Sequence, residues 1–127
     1  MSRKTSKDAE SSIHWRNSLG LLAELRAAQW LVEQGFWTFI PVGGVGPIDL
    51  IAVSKTGKIH LFDVKHAARR SGSGYIINRS LTTFQKLIGV KLLYVDTDTN
   101  EVFISLDKET ADRKGFIKSR ETTLPNE

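Results

Sequence analysis

Residues 48–65, IDLIAVSKTGKIHLFDVK, hold the clearest structural signal in the chain. Residues 48–53 are apolar on both faces, as expected of a buried central strand. Lys55-Thr56-Gly57-Lys58 has the composition of a tight turn, and the extended pattern resumes after it up to residue 66. The sequence therefore predicts a β-hairpin over residues 48–66 in the interior of a sheet.

A helix and a strand are predicted before this hairpin. The helix is indicated by apolar residues that recur at helical spacing, with a glycine where a helix would end. These residues are Leu21, Leu22, Leu25, Ala28, Leu31 and Val32, followed by Gly35. The spacing predicts a helix over residues 17–34 with Gly35 at its C-cap, and the aromatic and β-branched residues after it predict a strand over residues 36–42.

The remaining elements follow the hairpin. A short strand is predicted around residues 75–77, a helix over residues 81–89, and two strands, KLLYVDT and EVFISL, on either side of a turn at Thr99-Asn100. The order α-β-β-β-(β)-α-β-β predicts a mixed α/β domain in which helices flank a central β-sheet.

Length and composition predict one globular domain. The 127 residues suffice for a single core, with 40% hydrophobic and 25% charged residues. The polar ends predict flexible tails at residues 1–11 and 119–127 around a domain at residues 12–118. The absence of cysteine excludes disulfides and cysteine-ligated zinc, and favours the cytoplasm together with the absence of a targeting signal.

The charge distribution suits a polyanionic partner. The chain carries 18 Lys and Arg against 14 Asp and Glu, a formal charge of +4. Asp63 is the single acid among the five basic residues between Lys55 and Arg70, and Arg79, Lys86 and Lys91 form an acid-free run. A solvated basic face is the alternative explanation for these runs.

Two acids and a lysine are predicted to meet at one end of the hairpin. Residues two apart on a strand share a face, so Asp63 and Lys65 point the same way, while His60 and His66 belong to the opposite face. A turn centred between residues 56 and 57 would place Asp49 opposite Val64 and therefore beside Asp63. Two adjacent carboxylates repel each other unless a proton or a cation neutralises them. Oxygen ligands without cysteine favour Mg²⁺, with Mn²⁺ as a possible substitute.

Each of these residues also has a simpler explanation. Glu24 lies on an apolar helical stripe, from which it could reach the acids or instead pair with Arg16 or Arg26. An Asp-x-Lys pair on a strand is commonly a salt bridge. Asp49 taken alone suits a turn before a strand.

Taken together, GLLAE at residues 20–24, Pro47-Ile48-Asp49 and Asp63-Val64-Lys65 resemble the PD-(D/E)XK nuclease superfamily. The resemblance covers about residues 19–105 and implies a restriction-endonuclease-like fold. Ile48 separates the proline from the aspartate, and Asp63 stands where many members have Glu. Archaeal-type Holliday junction resolvases are most similar in layout, and small intron-homing endonucleases have a similar one.

The resemblance implies a Mg²⁺-dependent endonuclease that hydrolyses phosphodiester bonds in DNA. Glu24, Asp49, Asp63 and the backbone carbonyl of Val64 would hold the metal, and Lys65 would assist catalysis. Gln85 would orient a substrate phosphate, or else is a solvated helix residue. DNA contacts are expected from the following residues: Ser18, which alternatively caps the helix, Arg69, Arg70, Arg79, Lys86 and Lys91.

A Holliday junction resolvase, acting in DNA recombination and repair, is the main functional hypothesis. Two coordinated cuts in a two-fold symmetric junction would require a homodimer. The alternatives are a sequence-specific homing or restriction-type endonuclease, a non-catalytic nucleic-acid-binding protein with a degenerate nuclease fold, and a basic scaffold for a protein partner.

Overall fold

The protein is represented by a computed structural model that describes residues 6–43, 46–67, 76–106, 117 and 119–127, with the backbone alone for residues 6–17. Two helices and six strands lie within these residues. They are α1 (Ser6–Glu33), β1 (Trp37–Phe39), β2 (Leu50–Val53), β3 (Ile59–His66), α2 (Thr83–Ile88), β4 (Val90–Asp96), β5 (Glu101–Ser105) and β6 (Arg120–Glu121).

The six strands form one mixed sheet in the order β1-β2-β3-β4-β5-β6. All neighbours are antiparallel except β3 and β4, which run parallel and are joined by the connection that carries α2. This arrangement confirms the predicted mixed α/β sheet with flanking helices. It also places the hairpin of β2 and β3 in the sheet interior, as predicted.

The register of this hairpin differs by one residue from the prediction. Leu50 pairs with Phe62, whereas the predicted register would pair Leu50 with Asp63. The reason is the turn, which closes by a hydrogen bond from the Ser54 N–H to the Lys58 carbonyl at 2.9 Å and so contains three residues. Gly57 adopts φ 89°, the left-handed conformation that such a loop requires.

Helix α1 begins earlier than predicted and ends as predicted. Its first residue is Ser6, so residues 6–11 are helical and do not belong to a tail. Ser18 lies well inside the helix, which excludes its predicted role as an N-cap. At the other end, Gly35 has φ 91° and its N–H bonds the Val32 carbonyl, while the Phe36 N–H bonds the Leu31 carbonyl. These bonds satisfy carbonyls at the helix end.

The main core lies between α1 and one face of the sheet. Ala23, Ala27, Trp30 and Leu31 contribute the helix side, and the small alanines allow close approach to the strands. The strand residues of this core are Leu50, Ala52, Phe62, Val64, Leu93, Val95 and Val102. A second cluster covers part of the opposite face, where Tyr94 stacks on Phe103. In the described residues, neither helix combines the length and apolarity needed to cross a bilayer.

The predicted second helix and last strand pair are present with small shifts. Helix α2 has Thr82 as N-cap and Gly89 as C-cap, and β4 and β5 flank the turn at Asn100. Ile76 and Ile77 form an isolated bridge where a short strand was predicted, and the Ile76 carbonyl accepts a bond from the Ile117 N–H.

The C-terminal residues are docked against the fold, so the prediction of a flexible tail at residues 119–127 is wrong. Strand β6 pairs with β5, and Leu124 packs against the main core. Asn126 accepts a bond from the Lys55 N–H at 2.9 Å and donates one to the Gln34 carbonyl at 3.1 Å. One amide side chain therefore connects the hairpin turn to the end of α1.

We expect Asn126→Ala to lower the free energy of unfolding by about 1 kcal/mol, because the partly buried Gln34 carbonyl and the exposed Lys55 N–H both lose their partner. Thr122→Ala, at an exposed position in the same segment, should change it by less than about 0.5 kcal/mol. Urea denaturation followed by circular dichroism measures both values. Equal stability of the two variants would contradict a connecting role for Asn126.

Candidate active site

Asp49 directly precedes β2, and its backbone is hydrogen-bonded to β3. Its N–H bonds the Phe62 carbonyl at 2.8 Å, and its Oδ2 accepts a bond from the Val64 N–H at 2.8 Å. The carboxylate therefore replaces a backbone carbonyl as the partner of β3. This arrangement holds the Asp49 carboxyl near enough to that of Asp63 for the two groups to share a hydrogen bond when Asp49 is protonated.

The environment of Asp49 favours its protonated form. Burial and the hydrogen bond with Asp63 raise the pKa of Asp49 to about 6, against the opposing effect of the Val64 N–H. The negative charges of Asp63 and, to a smaller extent, Glu24 act in the same direction. The site thus carries more negative charge than its neighbours neutralise.

Two side chains contact the same carboxylate oxygen of Asp63. The ammonium group of Lys65 lies 3.4 Å from Asp63 Oδ2, and Gln85 Nε2 donates to the same atom at 3.1 Å. The Asp63–Lys65 salt bridge was the simpler explanation offered for the Asp-x-Lys pattern, and it is present. It also fixes an ammonium group next to the carboxylate pair, so the two explanations are compatible.

Gln85 connects three parts of the site. It is buried, its Nε2 also donates to the Pro47 carbonyl at 3.0 Å, and its Oε1 accepts a bond from the Thr82 N–H at 2.9 Å. Both amide hydrogens are therefore used within the protein. Gln85 therefore positions Asp63 and the segment before Asp49. Its burial contradicts the alternative of a solvated helix residue. Its contact with a substrate phosphate stays a prediction.

Glu24 approaches the carboxylate pair without joining it closely. It is half-buried on α1, and its charge contributes the smallest of the effects that raise the pKa of Asp49. Arg26, considered as its partner, instead contacts Glu33 and the Asn100 carbonyl. Among the described residues, no group of three or more His, Asp or Glu side chains forms a ready metal cluster.

The predicted DNA-contacting residues lie on different parts of the fold. Arg79 and Lys86 are exposed near α2, which carries Gln85. Lys91 pairs with Phe62 and lies near His60, so it belongs to the α1 face and does not share the face of Asp63. The predicted contact of Lys91 with DNA stays a prediction, from the face opposite Asp63. Arg69, Arg70 and the loop at residues 71–74 lie outside the described residues.

His60, His66 and Trp30 have partners within the fold. His60 contacts the rings of Phe36 and Phe62 on the α1 face, opposite the carboxylates. His66 Nε2 forms a hydrogen bond of 2.7 Å with Thr97 Oγ1. Trp30 is buried in the main core, whereas the side chain of Trp37 is exposed.

Two contributors to the site were not predicted from the sequence. The Thr82 side chain accepts a hydrogen bond from the Gln85 N–H, and the Thr82 N–H donates one to the Gln85 side chain. These two bonds form a capping box. The pattern Thr-x-x-Gln at residues 82–85 carries this signal and would have placed Gln85 on the first turn of a helix. The Pro47 carbonyl has no such signal, because its contact depends on the tertiary fold.

Comparison with known proteins supports the fold and leaves the family open. No family model matches the sequence, and a search of curated proteins finds no match. Among solved structures, the chain is similar to the bacterial homing endonuclease I-Ssp6803I with a TM-score of 0.58 and 13% identity. The match covers 78% of this chain and 83% of that chain. At this identity the similarity shows a shared fold.

The raised pKa of Asp49 makes stability depend on pH. Because this pKa is higher in the folded protein than the ordinary value of 3.8, the shift favours folding only while Asp49 is protonated. The contribution is complete below about pH 3.8 and is lost as the pH rises through about 6. Asp49→Asn keeps an oxygen for the Val64 N–H and places a permanent donor beside Asp63.

We therefore expect Asp49→Asn to be more stable than the wild type by about 1 kcal/mol at about pH 7.5, and equally stable below about pH 4. Urea denaturation across this pH range measures the difference. Glu33→Gln, which removes an exposed carboxylate on α1, serves as the control and should show no such trend. A difference that grows towards acidic pH would contradict the assigned direction of the pKa shift.

Proposed function

We propose that this protein is a metal-dependent DNA endonuclease of the PD-(D/E)XK type. The observation that carries the proposal is the Asp49–Asp63 carboxyl pair with the Lys65 ammonium group 3.4 Å from Asp63. Phosphodiester hydrolysis needs positive charge at the phosphate and a positioned water molecule. A carboxylate pair that recruits a hard cation beside a fixed lysine can provide both.

The donor set fits Mg²⁺ or Mn²⁺. Mg²⁺ typically binds through one or two carboxylates and otherwise keeps water or substrate oxygens, so the Asp49–Asp63 pair is a sufficient protein contribution. The Val64 N–H points to Asp49, and the carbonyl of a strand residue points to the same side as its N–H. The Val64 carbonyl is thus available as a further ligand, with Glu24 at the margin of the site.

The side chains around the pair have separate tasks in this mechanism. A bound Mg²⁺ supplies Lewis acidity towards the phosphate and lowers the pKa of a coordinated water molecule. Lys65 stabilises the negative charge that develops on the phosphate or holds the attacking water. Gln85 and the Val64 N–H keep Asp63 and Asp49 in place, so little reorganisation is needed when substrate binds.

Two kinds of DNA substrate are compatible with the proposal. The layout of helix, hairpin and second helix resembles Holliday junction resolvases, which suggests cleavage selected by DNA shape. The structural similarity to a homing endonuclease favours the alternative, cleavage at a particular sequence, which requires contacts to base edges. In either case Arg79 and Lys86 are candidates for phosphate contacts beside the site.

Cleavage of labelled DNA tests the proposal. The substrates are a synthetic four-way junction, a linear duplex, a single strand and a pool of random duplexes, each with Mg²⁺, Mn²⁺ or EDTA. We expect metal-dependent cleavage that Asp63→Asn and Lys65→Ala each reduce by about 100-fold or more. Glu33→Gln, which removes a carboxylate far along α1, should retain the wild-type rate.

The pattern of products identifies the substrate class. Paired symmetric cuts in the junction alone would support the resolvase, and cuts at one sequence in linear duplex would support the homing or restriction type. DNA binding without cleavage in any metal would contradict the proposed enzyme and leave a binding protein with a nuclease-like fold. Cleavage that survives Asp63→Asn would contradict the assigned site.

A further inference from the structure

Strands β4 and β5 separate at one end of the sheet. Their register pairs start at Tyr94 and Phe103, although β4 begins at Val90 and β5 ends at Ser105. A cavity of about 500 Å³ lies between the separated strand ends. This volume is within the roughly 300–1,000 Å³ that small-molecule sites typically occupy.

Apolar side chains form most of the cavity wall. They come from the two strands, from the segment before α2 and from the C-terminal segment, and include Leu81, Leu92, Ile104, Leu106 and Leu124. Four of them are half-buried, and Leu106 is 58% exposed at the rim. Sites that hold a single nucleobase commonly enclose its flat ring between aromatic or apolar side chains. The wall is therefore suited to a base.

One wall of the cavity is fixed by the buried Tyr94. Its hydroxyl accepts a bond from the Arg79 N–H at 2.8 Å and donates one to Asn78 Oδ1 at 3.1 Å. Tyr94 lies on the same sheet face as Asp63, because Leu92 pairs with Asp63 and residues two apart on a strand share a face. The wall that contains Asn78 and Arg79 is therefore held on the face of the carboxylate pair.

Two cations reach the cavity from different faces of the sheet. Arg79 belongs to the wall just described, whereas Lys91 leaves β4 on the α1 face. Both side chains are exposed, and the ion pairs among the described residues use neither of them. Glu121 is the one acid among the lining residues, and its carboxylate accepts a bond from the Thr123 N–H. The excess positive charge favours a ligand with anionic groups.

We propose that the cavity receives one unpaired nucleotide of a DNA strand, an inference that rests on the proposed function. The base would pack against the apolar wall. Asn78 Oδ1 is used by Tyr94, so its Nδ2 is the donor that faces a carbonyl or ring nitrogen of the base. A nucleotide within a strand has a phosphate on each side of its sugar, so Arg79 and Lys91 can each contact one of them.

The cavity is adjacent to the candidate active site. Leu92 in its wall is the cross-strand partner of Asp63, and neighbouring strands lie about 4.8 Å apart. A DNA strand with a phosphate at the carboxylate pair would therefore reach the cavity within a few nucleotides. Bulges, flaps and branch points already contain an unpaired nucleotide, whereas a regular duplex has to break a base pair first. The cavity would thus select DNA by its structure.

Binding of two duplexes in EDTA tests the proposal without cleavage. They share one sequence, and one of them has an additional unpaired 2-aminopurine nucleotide in the middle of a strand. Fluorescence anisotropy of a terminal dye gives both dissociation constants. We expect the bulged duplex to bind about tenfold more tightly than the paired one. Acrylamide should quench the 2-aminopurine less in the complex than in free DNA, because the cavity encloses the base.

Three variants change the cavity. Lys91→Ala and Arg79→Ala each remove a cation, and Leu106→Trp narrows the opening from an exposed position. Each should reduce the preference for the bulged duplex to below about threefold, and circular dichroism shows whether each variant folds. The matched control is Lys55→Ala, which removes an exposed lysine from the hairpin turn, outside the cavity lining. It should keep the preference, because loss of a general phosphate contact weakens both complexes alike.

Equal affinity of the wild type for both duplexes would overturn the proposal, and so would a preference that survives all three variants. A nucleoside monophosphate that binds as tightly as the bulged duplex and displaces it would also overturn it, since the cavity would then be a site for free nucleotides. Cleavage assays separate the two proposals. Metal-dependent cleavage without preference for the unpaired nucleotide refutes the cavity inference alone, whereas preference without cleavage in any metal supports that inference and refutes the nuclease.

Discussion

The hydrogen bond from the Val64 N–H to the Asp49 carboxylate determines much of what this protein can do. It takes the place of a backbone bond at the point where β2 begins, and it turns the end of an ordinary hairpin into a site for two acids. The neighbouring carboxyl of Asp63 is fixed in turn by Lys65 and Gln85. The fold therefore maintains a repulsive pair that a proton relieves at low pH and that a divalent cation would relieve near neutrality.

This arrangement places stability and activity in opposition. A pair of acids with a raised pKa destabilises the folded state at neutral pH, whereas an amide at residue 49 would not. Sites of this kind are commonly retained because the function requires them. Other parts of the chain supply stability, among them the alanine-rich face of α1 and the C-terminal segment held by Asn126.

Much of the fold was predictable because its signals are local. The apolar spacing of α1, the glycine after it and the turn between β2 and β3 each depend on a few neighbouring residues, and the proximity of Asp49 and Asp63 followed from them. The one-residue shift in register did not follow, since it depends on whether the loop closes with three residues or four. The docking of Leu124 and Asn126 and the contact of Gln85 with Pro47 depend on distant residues. The placement of Lys91 on the α1 face follows from its pairing with Phe62, which the sequence of either strand alone does not reveal.

Anomalous diffraction from crystals grown with Mn²⁺ shows whether the Asp49–Asp63 pair is a cation site. We expect an anomalous peak between the two carboxylates, roughly 2.1 Å from an oxygen of each, with water completing the coordination. The same peak should be absent from Asp63→Asn crystals grown in the same way. A well-occupied Mn²⁺ bound elsewhere, with Asp49 and Asp63 still hydrogen-bonded to each other, would contradict it.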